Sequence, residues 1–216
     1  MNDAASSLAR GRNDTPLIEL TLGAFLDQMA ERQPEREALV SVHQGVRYSY
    51  HQLQQHTRQL ASALLGLGLQ PGERIGIWSH NNAEWLLMQL ATAQVGLVLV
   101  NINPAYRTSE LKYALNKVGC KALVSMARFK TSDYLGMLRE LVPELATCAP
   151  GQLQAARLPA LRTVVWIDVA GQGADEPGML RFSELQAQGR ADDARVQQVA
   201  ATLQATDPIN IQFTSG

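Results

Sequence analysis

The residues best suited to chemistry stand at the end of the chain. The segment "NIQFTSG", Asn210 to Gly216, sets a short apolar run (Ile209, Ile211, Phe213) directly before Thr214-Ser215-Gly216. A strand that ends in two hydroxyls and a glycine brings small side chains and free backbone N–H groups to the carboxyl edge of a sheet, where α/β folds bind ligands. Such groups can cradle phosphate oxygens. Three residues of this kind also make an ordinary turn, so the rest of the chain must decide between the two.

Other reactive side chains point elsewhere. His51 and His56 lie five residues apart on one helical segment, not at the i,i+4 spacing of two ligands on one face. They read as solvated helix residues. His80 and Asn81 precede a helix and read most simply as cap and loop residues, with an active-site role as the alternative because the carboxyl end of "RIGIW" faces the binding side of the sheet. Asn101 and Asn103 read as strand-end turn formers. Gly171-x-Gly173 follows a strand but is flanked by Asp175 and Glu176, which would repel a pyrophosphate, and no helix start follows at the needed spacing. That weakens a dinucleotide-dependent oxidoreductase. Cys120 and Cys148 are far apart and form no CxxC pair, so reduced thiols are expected, with Cys120 a small buried hydrophobe.

The elements that must position these residues alternate. "LGAFLDQMAER" predicts a helix with Phe25, Leu26 and Met29 on its packed side, ending before Pro34. Strands flanking Gln44-Gly45 predict a β-hairpin. Ser49 and Gln52 form a capping box for a helix that stops at Gly66 and Gly68. After Pro71-Gly72 comes the strand "RIGIW". A second helix opens at Asn81 with Glu84 in its first turn. Its apolar residues cover every face, so Leu86, Leu87, Leu90 and Ala91 are expected to be buried. "LVLVNI" follows as a fully apolar strand of the parallel-sheet type. Thr108 caps a third helix, with Glu110 favourable to its dipole, and Gly119 ends it before "KALVSM". Beyond Pro143 the pattern weakens to a loop, the strand "LRTVVWIDV", a surface loop, a short helix from Ser183, a polar stretch and the closing strand. The rhythm predicts an α/β fold: a layered, mainly parallel, doubly wound sheet with flanking helices. Residues 1–16 are expected to be a flexible tail and residues 17–216 the ordered unit.

Charge and composition narrow the partners. With 19 basic and 20 acidic residues among 216, there is no electrostatic case for nucleic acid or an anionic membrane. The stretch Trp85 to Ile102 is too interrupted to span a bilayer. The N-terminus lacks a signal peptide's apolar region, so a soluble cytoplasmic protein is expected.

Three blocks together resemble one family. "YSYHQL…LGLQPGERIGIW", "ATAQVGLVLVNINPAYRTSEL" and "IQFTSG" are similar to the N-terminal part of the AMP-forming acyl-CoA synthetases of the adenylate-forming superfamily. The likeness covers roughly residues 20 to 216, and "NINPAYRTSELKYALNKVG" looks more like fatty-acyl and medium-chain enzymes than peptide-synthetase domains. The resemblance implies a ligase that uses ATP and Mg²⁺ to activate a fatty acid as acyl-adenylate and passes the acyl group to coenzyme A. It also leaves room for a homodimer. It makes Thr214, Ser215 and Gly216 the start of the ATP phosphate loop, which in the family reads on as Thr-Thr-Gly-x-Pro-Lys-Gly. The chain then reads as a front portion of that enzyme, cut inside the loop, without the small C-terminal domain and with no catalytic residue of its own. Alone it is expected to be inactive. The rival expectation is a short non-catalytic α/β binding or interaction domain.

Overall fold

A computed structural model describes residues 11, 14, 16–168 and 175–213. Thr21 opens α1 (Leu22–Arg32) by accepting the Ala24 N–H. Next come β1 (Glu37–Ser41), a 3-10 turn over Val42–Gln44, and β2 (Val46–Ser49), an antiparallel hairpin turned by Gly45 at φ 67°. The chain continues through α2 (Tyr50–Gly66), β3 (Arg74–Trp78), α3 (Ala83–Gln94), β4 (Val98–Ile102), α4 (Thr108–Val118) and β5 (Ala122–Met126). A two-residue ribbon follows, β6 (Arg128–Phe129) with β7 (Ser132–Asp133), leading into α5 (Tyr134–Leu141). The last elements are β8 (Thr163–Ile167), β9 (Leu180–Arg181), α6 (Phe182–Gln188), α7 (Ala194–Ala200) and β10 (Asn210–Gln212).

Six strands form one parallel sheet in the order β10-β4-β3-β5-β8-β9. From β3 the chain moves to β4 on one side; from β4 it crosses to β5 on the other and continues outward to β8. Right-handed crossovers taken in opposite directions place helices on opposite faces. Accordingly α4 packs with α5, while α3 packs with α1, α2 and α7. The three strands expected to be parallel neighbours, "RIGIW", "LVLVNI" and "KALVSM", form the centre. Ile75, Ile77, Leu99, Val100, Leu123 and Val124 are fully covered there. Gly76 sits at the middle of β3 because a Cβ would come within 3.0 Å of both Ile102 and Leu123.

Several local expectations shift for physical reasons. On α1 the buried residues are Gly23, Leu26 and Ala30, while Phe25 is exposed. A Cβ on Gly23 would lie 3.2 Å from Gln94, so the helix leans on α3 through its smallest residue. Asn82, not Asn81, caps α3, accepting the Trp85 N–H at 2.8 Å. Leu87 and Ala91 of α3 are buried, but Leu86 and Leu90, one turn apart, are half-buried. Thr108 is the first residue of α4 rather than its cap, and Glu110 Oε2 accepts the Arg107 N–H at 3.1 Å. α6 begins at Phe182, and Ser183 donates from both its N–H and its Oγ to Asp168. α5 and α7 arise where no helix was expected. α5 is capped by Asp133 and buries Leu135, Leu138 and Leu141 at helical spacing. α7 is held through Asp193, which accepts from Ser62 of α2 at 2.7 Å and pairs with Arg195. No described helix is long and apolar enough to cross a membrane.

Candidate active-site edge

The carboxyl ends of the strands gather the polar residues. β10 runs parallel to β4, with Asn210 beside Leu99 and Gln212 beside Asn101. The description ends at Phe213, so the expected phosphate-loop residues Thr214, Ser215 and Gly216 lie outside the described residues, as do Gly171 and Gly173. What the structure does fix is the strand that leads to the first three: β10 reaches the carboxyl edge, beside the end of β4.

β4 brings two asparagines to that edge. Asn103 is a turn former: its Oδ1 accepts the Ala105 N–H at 2.9 Å, and its carbonyl takes the Trp78 indole N–H at 3.2 Å. Asn101 differs. Its Oδ1 is shut off from solvent and has no hydrogen-bond partner among the described residues. A buried carbonyl left unpaired costs about 1–3 kcal/mol. Such a group at a ligand edge is one of the places where function overrides local satisfaction.

The order of strands reverses between β3 and β5. That reversal is the topological switch point of a doubly wound sheet, where crevices for ligands open. Past the end of β3, Ser79 receives a hydrogen bond from the Asn82 amide at 2.9 Å and donates to the His80 carbonyl at 2.8 Å. The His80 ring lies with Nδ1 3.0 Å from Met126 Sδ, at the end of β5. It stacks on Phe129, with ring centres 4.4 Å apart and planes 13° from parallel. His43 of the hairpin turn approaches to 5.6 Å. Next to it, Gln44 accepts the Ala83 N–H at 2.7 Å and donates to Glu84 at 2.7 Å, tying the hairpin to the start of α3. Burial, first, and His43, second, lower the His80 pKa, while Glu84 works in the opposite direction. The place of His80 after the strand "RIGIW" marks it in the sequence as an alternative site residue; the partners that converge on it, Met126, Phe129 and His43, come from distant segments and are not legible there.

The remaining candidates are structural. His51 is exposed beside Gln55. His56 is not solvated: it packs on Tyr48 at 4.5 Å and meets Gln186 of α6 at 3.2 Å, and burial lowers its pKa. Cys120 is buried and its thiol is pushed up to about 12, chiefly by desolvation. Cys148 is a second free thiol. Asp175 pairs with Arg181 and Glu176 with Arg139. Among the described residues no cluster of three or more His, Cys, Asp or Glu could hold a metal ion.

The family model described as AMP-binding enzyme matches residues 26–216. The chain is 44% identical over 212 residues to the rat protein "Medium-chain acyl-CoA ligase ACSF2, mitochondrial", covering 97% of this chain and 34% of the relative. The zebrafish (Danio rerio) protein of the same name is 40% identical, with 98% and 34% covered. The chain therefore spans about a third of the length of these curated relatives. Among solved structures, the anthranilate CoA ligase AuaEII in complex with anthranoyl-AMP superposes with a TM-score of 0.69 at 21% identity, covering 94% of this chain and 33% of that one. That likeness shows the shared fold. The relatives' names overturn the expectation of a cytoplasmic protein, because the ACSF2 proteins are named mitochondrial. The inference failed because a missing apolar region speaks only against a secretory signal. Import into mitochondria uses polar, Arg- and Ser-containing segments instead.

Proposed function

The chain belongs to the AMP-binding enzyme family, and on that premise we propose that it is the front portion of an AMP-forming acyl-CoA ligase acting on a fatty acid of medium chain length. The observation that carries the reading is 44% identity across 97% of the chain to a medium-chain acyl-CoA ligase. In the complete enzyme a carboxylate oxygen of the fatty acid attacks the α-phosphorus of ATP, and pyrophosphate leaves. The thiol sulfur of coenzyme A then attacks the acyl carbon, and AMP leaves with the electron pair of the broken C–O bond.

This portion contributes the floor of the ATP site. β10 delivers Thr214, Ser215 and Gly216 as the first residues of the phosphate loop, whose hydroxyls and N–H groups hold phosphate oxygens. The charge that develops on those oxygens needs such pre-placed donors. The described residues offer no metal cluster, so the Mg²⁺ expected to accompany ATP is assigned no ligand here and no step depends on one. Residues 17–216 form the N-terminal part of the large AMP-binding domain in this reading, which leaves room for a homodimer.

Two steps test it. The coding sequence beyond Gly216 should continue Thr-Thr-Gly-x-Pro-Lys. The whole product should then show fatty-acid-dependent exchange of pyrophosphate into ATP across acids of graded length, and form thioester when coenzyme A is added, while the 216-residue chain alone shows neither. A complete product with no acid-dependent exchange would contradict the proposal and favour a non-catalytic domain.

A further inference from the structure

We infer that His80 is a ligand-binding residue of the crevice between β3 and β5, its Nε2 accepting a hydrogen bond from a neutral O–H or N–H donor of the bound substrate. The identity of that substrate rests on the ligase reading; the chemistry of the acceptor does not.

The contacts hold the ring, and the one to Met126 points to its tautomer. Met126 at the end of β5, Phe129 of β6 and His43 of the hairpin turn each hold the imidazole, from three separate elements. A thioether sulfur has lone pairs but no proton to give, so the 3.0 Å contact to Met126 is a hydrogen bond only when Nδ1 carries the hydrogen. Burial and the neighbouring His43 keep the ring neutral at pH 7. A neutral imidazole protonated on Nδ1 leaves Nε2 as an acceptor. Among the described residues nothing uses that acceptor: the Met126 contact is the one hydrogen bond of the His80 side chain there, and the residue is partly exposed.

The class of ligand group follows. A lone pair at Nε2 repels the oxygens of a carboxylate or a phosphate, so it suits neither the head of the fatty acid nor the triphosphate. Among the proposed substrates, neutral donors include the ribose hydroxyls and adenine amine of ATP and the amide N–H, hydroxyl and amine groups of coenzyme A. Both are within range, because β3 and β10 are two strands apart and strands are spaced about 4.8 Å, so roughly 10 Å separates the His80 loop from the end of β10.

The acceptor also carries a pH signature. The charged and titratable groups around the ring are His43 from the hairpin, Glu84 from α3, and Lys130, which sits 5.3 Å above the Phe129 ring from the β6–β7 turn. Protonating His80 converts Nε2 from acceptor to donor, so affinity for the donor ligand falls as pH drops through a pKa below the usual 6.5.

The experiment uses the complete enzyme with His80→Ala and His80→Gln, whose side-chain carbonyl can stand in for Nε2. His80→Ala should raise the KM for either ATP or coenzyme A about tenfold, the worth of one hydrogen bond to a neutral group. The KM for the fatty acid should stay within about twofold. His80→Gln should restore most of the affinity and remove the acidic limb of the pH profile. A shift confined to ATP places the donor on ATP; one confined to coenzyme A places it on coenzyme A. An unchanged KM for both, a rise confined to the fatty acid, or a failure of glutamine to rescue a folded variant would overturn the assignment. Nitrogen-15 NMR of the imidazole separates this from a failure of the ligase reading. The Nδ1–H tautomer and a ligand-induced shift of Nε2 on adding ATP or coenzyme A support it even if no thioester forms. An Nε2–H tautomer, or no shift at saturation with either ligand, rejects it.

Discussion

The two edges of the same parallel sheet are built differently. At the amino edge the joints are closed. Val98 donates to Glu73 O, Lys121 to Arg74 O, Arg162 to Lys121 O and Gly72 to Gly96 O, each at 2.7–2.9 Å, and the Arg74 guanidinium reaches Val118 O at 2.6 Å. Cys120 is sealed behind them. At the carboxyl edge two acceptors stay open among the described residues, Asn101 Oδ1 and His80 Nε2, within a packed frame: Trp78 packs edge-on against Tyr134 at 4.4 Å, and the Tyr134 hydroxyl donates to Pro104 O. The amino-edge joints are closed by backbone hydrogen bonds, although Gln94 Oε1 just before them is buried and unpaired among the described residues; at the carboxyl edge the open acceptors face the side where a ligand can complete them.

The largest effect should come from breaking the closed edge. Gly96 joins α3 to β4 at φ 68°, and a Cβ there would fall 2.8 Å from Leu203 and 3.1 Å from Pro71. Gly96→Val should cost about 3 kcal/mol through backbone strain and overpacking together, read as a fall in thermal midpoint by circular dichroism. A midpoint unchanged from wild type would show that the amino edge is not what holds the sheet.

The same edge should carry a signature in alkali. Folding raises the Cys120 thiol from its ordinary 9.0 to about 12. The folded chain therefore keeps a proton that the unfolded chain loses. The stabilising contribution is complete below pH 9 and is lost as pH rises towards 12. Its slope is at most about 1.4 kcal/mol per pH unit. Chemical denaturation at pH 8, 9 and 10 should show the decline, and Cys120→Ala should flatten it.

The open edge should respond in the opposite sense. Asn101→Leu replaces an unpaired buried carbonyl by a side chain of similar size. It should leave stability equal or raise it by about 1 kcal/mol, and weaken ATP binding in the complete enzyme. A variant that is clearly less stable would make Asn101 a structural residue and erase the contrast between the edges.

Much of this frame was legible in the residues. Apolar strands with glycine-marked joints, "RIGIW", "LVLVNI" and "KALVSM", specify the central sheet because each is buried on both faces and admits no other placement. The Ser49–Gln52 capping box was legible for the same reason: the pattern is local, and the structure shows both of its hydrogen bonds. Features decided by distant partners were not. Phe25 was expected to be buried, but Gly23 fits against Gln94 instead; α7 carries a polar sequence and is held by Ser62, 131 residues away from Asp193. The site shows the same division. Residues 214–216 stand out by type and lie outside the described residues. His80 is marked in the sequence only by its place after "RIGIW", and it gains its surroundings only when β5 and the hairpin meet β3.

Hydrogen exchange on the complete enzyme, with and without ATP and fatty acid, tests the difference between the edges most directly. Added ligand should slow exchange at the carboxyl edge, in residues 79–84, 101–107 and 126–129, and leave the amino-edge joints at 72–74, 96–98 and 119–122 unchanged. Protection appearing at the amino edge, with the carboxyl edge unaltered, would contradict the account.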